Sequence, residues 1–381
     1  MKILRIIGSL DPQKGGPAAA SIYQTKEMLR QGHQVAFVTL DSPKQPFLSE
    51  VPGLVFPLGP SIGRYGYNPR LTKWLKTHAP EYDAVIVHGI WQFLSLATWL
   101  AARQAHFKYF IYTHGALDPW FKRAYPIKHI KKSIYWWLAG RHVLKNAKGV
   151  LFTSEEERTL ARESFWPYEV NEIVVDYGVA QPPTNKDQNK ELFWQLFPNL
   201  RETKPLLFLG RLHPIKGCDL LIKAISLLKD EAPELHLVMA GPDSDDWEHQ
   251  LRKLAEDGGV ADKITWTGML SAELKWGAYS ASDVFILPSH SESFGVALVE
   301  ALANGLPALI TNKVKTWHNV KQYQAGFVSD DTLEGVVSLI RQWIALSEDE
   351  KDKMRKNARQ CFLQHYEISK TVRNFIEEID R

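Results

Sequence analysis

Residues 289–300, SHSESFGVALVE, carry the deciding pattern of this chain. They follow an apolar run, VFILP at 284–288, and lead into GVALVEALANG, which is closed by Gly305 and Pro307. An apolar run, a polar loop and a stretch of helix formers ended by Gly predict strand, tight loop and helix. Such a turn aims a helix N-terminus, with unpaired N–H groups and the positive dipole end, at an anion. Glu292 stands in the loop. Glu300 stands about one and a half turns inside the helix, on the face shared with Val296 and Ala297. Seven residues separate the two carboxylates, so an anion at the helix start has one on either side. A nucleotide diphospho-sugar has that layout, with diphosphate in the middle and hydroxyl-bearing rings at both ends. Taken alone, the same two residues also suit a solvated loop charge and a helix-face charge.

A second stretch strengthens the first reading. LLFLGRLHPIKG at 206–217 places Arg211 and Lys216 five apart, after a strand-like run and ahead of another helix. Two cations beside a diphosphate is the charge arrangement its departure requires. Gly210, Arg211, Lys216 and Gly217, followed by Glu292 and Glu300, resemble the retaining glycosyltransferases of family 4, with their pattern G-R-x4-K-G and then E-x7-E. That resemblance implies an α/β protein of GT-B type, two doubly wound Rossmann-like domains facing across a cleft that holds the active site. It implies sugar transfer with retention of anomeric configuration and no metal or other cofactor. One departure is mild: the family usually has Asn or another polar residue near Ser293, which bears on sugar choice.

Length and composition agree with two globular domains. The chain has 381 residues, 45% of them hydrophobic, with 13 Trp, so it can fill two cores. Two cysteines, Cys218 and Cys361, make no disulfide framework and suit a reducing compartment. The opening MKILRIIGSLD is too short an apolar run for a signal peptide and reads as a first strand. The apolar segment 89–102 is interrupted by Gln92, Ser95 and Thr98 and falls short of a membrane span. A cytoplasmic protein is the expectation, with peripheral attachment to the inner face of a membrane as its variant. The net charge of +3 hides an asymmetry: residues 1–180 hold 22 Lys+Arg against 14 Asp+Glu (+8), and the remainder holds 24 against 29 (−5). A basic half invites an anionic partner.

Along the chain, strand-like runs at 2–8, 35–40, 84–89, 109–114, 149–154 and 173–177 alternate with helical patterns. A second set follows at 206–212, 235–241, 264–268, 284–288 and 308–311, and helices run from about Leu333 to the end. Alternation of this kind predicts parallel sheets covered on both faces. The expected division is an acceptor-binding domain at 1–180, a Pro-punctuated linker at 181–204 and a nucleotide-sugar domain at 205–360. In the resembled fold, a final helix at 361–381 crosses back to the first domain. Gly15 and Gly16, lacking Cβ, let backbone approach a ligand, but the G-x-G-x-x-G dinucleotide fingerprint is missing.

His114 follows a predicted strand at its carboxyl end, the place where open α/β sheets bind ligands. The resemblance gives it contact with the donor sugar. His88 is similarly placed and, with Asp118 and Trp120, is an acceptor-side candidate. The resemblance assigns catalysis to His114, Arg211, Lys216 and Glu292. Its donor-binding set becomes Gly15, Gly16, Gly210, Gly268, Met269, Leu270, Phe294, Gly295, Val296 and Glu300, with the base taken by backbone groups of 268–270. Asp243 and Asp245 superficially resemble a metal-binding D-x-D, but acidic residues in such a turn also cap helices. No metal ligand is expected.

Residues 121–148 hold eight Lys+Arg and no acidic residue. Ile127, Ile130, Ile134 and Leu138 recur at helical spacing, with Lys128, Lys131, Lys132, His142 and Lys145 mainly on the other side and aromatics at 135–137. This suits an anionic membrane surface. It equally suits a core-packing helix with a solvated basic face. No nucleic-acid motif is present, so that partner is not expected.

Together these readings predict transfer of a hexose from a nucleotide diphospho-sugar to a hydroxyl of a lipid-linked or polysaccharide acceptor in cell-envelope or exopolysaccharide synthesis. UDP-glucose or a related UDP-hexose is the leading donor, with GDP-mannose behind it. A sugar phosphorylase-like enzyme and a non-catalytic nucleotide-sugar-binding protein are the alternatives.

Overall fold

The computed structural model describes residues 1–11, 16–175, 177–243 and 246–381. The chain forms two compact units, one of residues 1–178 and 368–381 and the other of residues 179–367. Each is built on its own parallel sheet.

In the first unit the strands are β1 (Lys2–Ile7), β2 (Gln34–Thr39), β3 (Leu54–Pro57), β4 (Ala84–His88), β5 (Tyr109–Tyr112), β6 (Gly149–Phe152) and β7 (Glu172–Val174). They lie in the order β3-β2-β1-β4-β5-β6-β7, and every pairing is parallel. The order reverses between β1 and β4, which opens a ligand crevice at the carboxyl ends of those strands. The central strands are buried on both faces, so they read as unbroken apolar runs. Buried polar groups interrupt this pattern at Arg5 within β1 and at Thr39 and His88, which end β2 and β4. The helix Ile368–Asp380 completes this unit by packing on the helix Gly16–Arg30. There Gln31 donates to the Ser369 carbonyl (3.0 Å) and Phe375 lies 6.1 Å from Tyr112, ring to ring.

The second unit contains β8 (Lys204–Leu209), β9 (Leu235–Ala240), β10 (Ile264–Gly268), β11 (Val284–Leu287), β12 (Ala308–Thr311) and β13 (Gly326–Ser329). Their order is β10-β9-β8-β11-β12-β13, again parallel throughout and reversing between β8 and β11. The segment expected as linker holds a helix, Lys186–Leu196, packed against the helix Ala272–Ala281 of this same unit. The helix Glu348–His365 also belongs here, and the return to the first unit begins at Ile368.

Two strands escaped the sequence reading, β3 and β13. Both close an edge of a sheet and are only partly buried; LVFP at 54–57 is apolar but lies between Pro52-Gly53 and its own Pro57, which read as a loop, and GFVS at 326–329 starts on Gly and ends on Ser. The core-packing alternative for the stretch around Ile127 is overturned. Ile127, Ile130, Ile134 and Leu138 all point to solvent, while Trp136 is the residue driven into the core. No helix among the described residues is long and apolar enough to cross a membrane.

Candidate functional site

In the second unit the residues singled out from the sequence gather where the strand order reverses. The turn after β8 carries Gly210, Arg211 and a short 3-10 turn, Pro214–Lys216, before the helix Cys218–Leu228. The turn after β11 carries Glu292 and ends at Gly295, which caps the helix Val296–Asn304. Because β8 and β11 are neighbours, the two turns emerge side by side. They are also joined directly: the His290 N–H donates to the Ile215 carbonyl at 2.8 Å. Gly217 lies so close to the second turn that a Cβ there would sit 2.2 Å from the Pro288 carbonyl oxygen. Its φ of +66° is a conformation that glycine adopts without strain.

This contact brings Lys216 onto Glu292, 76 residues later, as a hydrogen-bonded ion pair. The two side chains are only 16% and 18% exposed, so the pair is shielded from most of the solvent. Glu292 is held from behind by its own backbone. Its N–H donates to the Lys313 carbonyl and its carbonyl accepts from the Lys315 N–H, both at 3.0 Å. Arg211 is exposed and makes no hydrogen bond or ion pair among the described residues. Gly295, with φ +75°, turns the chain into the helix whose first residue is Val296. The Phe294 ring is buried against Tyr366, so this residue anchors the turn through packing.

Glu300 lies one carboxylate farther along the helix and is almost fully buried. The Lys275 ammonium donates to it at 2.7 Å and the Tyr279 hydroxyl at 3.1 Å. Sequence reasoning missed both partners. Their i, i+4 spacing on the helix Ala272–Ala281 places them on one face, but nothing local says that this face meets Glu300. The Gly268 carbonyl accepts from the Gly241 N–H at 2.8 Å, while Met269 is half exposed beside it and Leu270 follows. Asp243 caps a helix: its carboxylate accepts from the N–H groups of Trp247 and Glu248, both at 3.0 Å. Asp245 lies outside the described residues, as does Gly15. Gly16 opens the helix Gly16–Arg30 and is exposed.

The first unit joins His88 and His114. His88 ends β4, and His114 follows β5 in a left-handed conformation with φ 49°. His88 Nδ1 and His114 Nε2 are 2.9 Å apart, so one nitrogen donates to the other. Glu157, another residue sequence reasoning missed, fixes the turn that carries His114. Its buried carboxylate accepts from Thr113 Oγ1 (2.8 Å), the Gly115 N–H (2.7 Å) and both donors of Thr153 (2.8 Å each). Burial, and then the charge of Arg5, push the His114 pKa down to about 3. His88 is lowered by the same causes and by His114 itself. Arg5 is compensated by neutral acceptors: the Ser21 carbonyl, Thr25 Oγ1 and Gln24 Oε1. The two imidazoles are therefore neutral at physiological pH and act through hydrogen bonding. Asp118 accepts from the Trp120 N–H at 2.8 Å, which starts the helical turn Trp120–Ala124.

Two family models together span most of the chain. Residues 15–177 match the glycosyl transferase 4-like domain, and residues 191–361 match glycosyl transferases group 1. The chain belongs to the group 1 glycosyltransferases. Among curated relatives of this chain, mannosylfructose-phosphate synthase of Agrobacterium fabrum is 33% identical over 165 residues, 38% of this chain and 36% of the relative. D-inositol 3-phosphate glycosyltransferase of Paenarthrobacter aurescens is 32% identical over 159 residues, 38% of this chain and 39% of the relative. The match thus spans little more than a third of these relatives. The crystal structure of Anabaena HepE in complex with UDP and glucose superposes with a TM-score of 0.80 at 18% identity, covering 100% of this chain and 99% of HepE. That likeness extends over the whole length and establishes the GT-B fold of two Rossmann-like domains.

Proposed function

We propose that this protein transfers a hexose from a nucleotide diphospho-sugar, UDP-glucose or a related UDP-hexose, to a hydroxyl of a lipid-linked or polysaccharide acceptor. Transfer proceeds with retention of configuration and without a metal. One observation carries the reading: Lys216 and Glu292 meet beside the start of the helix Val296–Asn304, on two turns stitched together at the switch point. HepE, solved with UDP and glucose and also with UDP-glucose, supports the choice of base and sugar.

The chemistry follows from charge. Breaking the anomeric C–O bond gathers negative charge on the departing diphosphate, and stabilising that charge in the transition state accelerates the step. Arg211, Lys216 and the N–H groups of Gly295 and Val296 take that charge. A diphosphate competes with Glu292 for Lys216, and the released carboxylate then holds hydroxyls of the sugar. Glu300 takes the ribose hydroxyls, and backbone groups of Gly268, Met269 and Leu270 take the base. To the first unit we assign the acceptor, through His88, Asp118 and Trp120, and a hydrogen bond from neutral His114 to the sugar being moved.

A thermal-shift screen of UDP-, GDP- and ADP-sugars tests the reading, because a ligand that binds only the folded state raises its apparent stability. The expected result is a rise with UDP-hexoses, together with slow release of UDP from them. Stabilisation by a GDP-sugar alone refutes the donor assignment. Turnover that needs free phosphate and releases no nucleotide refutes transfer in favour of phosphorolysis.

A further inference from the structure

The basic stretch 120–148 is amphipathic in the reverse of the ordinary sense. A surface helix of a globular protein turns its aliphatic face inward. The helix Pro126–Tyr135 and the π-turn Trp136–Gly140 instead rest on the domain through aromatic and polar groups. His129 stacks on Phe165 at 4.6 Å, the Tyr135 and Tyr65 hydroxyls are 3.2 Å apart, and Trp136 is buried against Phe165. Even Lys132 is turned inward, with its ammonium over the rings of Trp91 (4.8 Å) and Phe121 (5.2 Å). The aliphatic side chains face out. Ile127, Ile130, Ile134, Trp137 and Leu138, with Trp166 beside Trp137 at 6.0 Å, are between 47% and 77% exposed.

A contiguous exposed apolar row implies a partner. Its rim identifies the chemistry. Lys128 and Lys131 lie along the row, Arg141 covers Trp137 at 4.4 Å, and the whole window from 121 to 148 carries eight cations and no acidic residue. Aliphatic side chains that can sink among acyl chains, two indoles at the boundary and cations flanking them match the interface of an anionic bilayer. A polyanion such as nucleic acid matches the cations but leaves the Ile–Leu row without a partner. An apolar protein groove matches the row but not the exposed cations Lys128 and Lys131 beside it.

We propose that residues 126–141, with Trp166, are a docking surface for an anionic lipid bilayer, the row Ile127–Ile130–Ile134–Leu138 entering the acyl boundary. This goes beyond sugar transfer and does not depend on it. The test is co-sedimentation of the full chain with vesicles of phosphatidylcholine alone or mixed with phosphatidylglycerol, at low and at physiological salt. The expected result is binding to the phosphatidylglycerol vesicles that weakens with salt. Ile130→Ser with Ile134→Ser should cut partitioning by roughly tenfold or more. Lys128→Gln with Lys131→Gln should cut it by about fivefold for each cation removed. All four residues are exposed, and unchanged thermal unfolding confirms that the variants fold. Equal partitioning of wild type and both variants, or no binding to either vesicle, overturns the proposal. So does a wild type that sediments as a dimer which the Ile variant dissociates. Binding to a single-stranded oligonucleotide in place of vesicles, lost with the Lys variant, also overturns it. Vesicle binding needs neither donor nor turnover, so its failure leaves the transfer reading standing, and the reverse holds as well.

Discussion

Replacing Lys216 by Met separates what this residue does for the fold from what it does for the reaction. The Lys216–Glu292 pair is about five-sixths withdrawn from water on each side. Removing one partner of a fully buried pair costs about 3–5 kcal/mol, because the other charge is left uncompensated. Residual exposure of Glu292 reduces this to roughly 1–3 kcal/mol, or a drop of several degrees in Tm for a unit of this size. Glu292→Gln alone should cost less, since a neutral amide is left beside the ammonium. The double variant K216M/E292Q buries no charge and should recover most of the lost stability. Turnover should behave differently. If Lys216 stabilises the leaving diphosphate, its loss costs about 3–4 kcal/mol in the transition state, a hundred- to thousand-fold in kcat. That loss should persist in the double variant, which regains stability but not the cation. Release of UDP from the UDP-hexose, measured beside Tm for all four proteins, gives both halves of the cycle. Turnover that returns in step with Tm would show that Lys216 acts only through the fold. Turnover of K216M within about threefold of wild type would refute the charge argument altogether.

Further outcomes follow from the same geometry. Gly217→Ala places a Cβ 2.2 Å from the Pro288 oxygen at a φ of +66°, so the turns bearing Lys216 and Glu292 must part. A loss of roughly 2–4 kcal/mol is expected, with weaker donor binding, and a Tm within about 2 °C of wild type would contradict it. Glu300→Ala should raise KM for the donor with little change in kcat, whereas Glu292→Ala should depress kcat; equal effects on turnover with unchanged donor affinity would end that division of roles. The His114 pKa of about 3 in the folded chain lies below the ordinary value of about 6.5. The unfolded chain therefore binds this proton first as pH falls, and the stability due to neutral His114 is complete above about pH 6.5 and is lost between there and about pH 3. Urea unfolding at about pH 7.5 and 4.5 should show a drop of a few kcal/mol that His114→Asn reduces; identical slopes for both proteins would refute it.

How much of this was legible before the fold was known depended on whether a feature is local. The interior strands announced themselves because parallel strands buried on both faces must be apolar along their length. Edge strands β3 and β13 were hidden by their punctuation, β3 by Pro52-Gly53 and Pro57 around an apolar run and β13 by the Gly that opens it. Gly210, Arg211, Lys216 and Gly217 could be placed on a turn between strand and helix, as could Glu292 and Gly295, because turn chemistry is set by neighbours in sequence. The amphipathic period of 126–138 was equally plain, but its direction was not. Helical periodicity says that two faces differ, and only the packing of Trp136, His129 and Tyr135 shows which one is turned to solvent.

By itself, then, the sequence determined two parallel α/β units, the turns that bear the charged residues and the composition of a basic first half. Only the tertiary structure decided that Lys216 rests on Glu292, that Lys275 and Tyr279 hold Glu300, that Glu157 braces the His114 turn and that His88 touches His114. Each of these joins residues on different elements, and such contacts depend on strand order. β8 lies against β11 and β4 against β5 because of where crossovers place them, and the local pattern within each strand does not encode its neighbour.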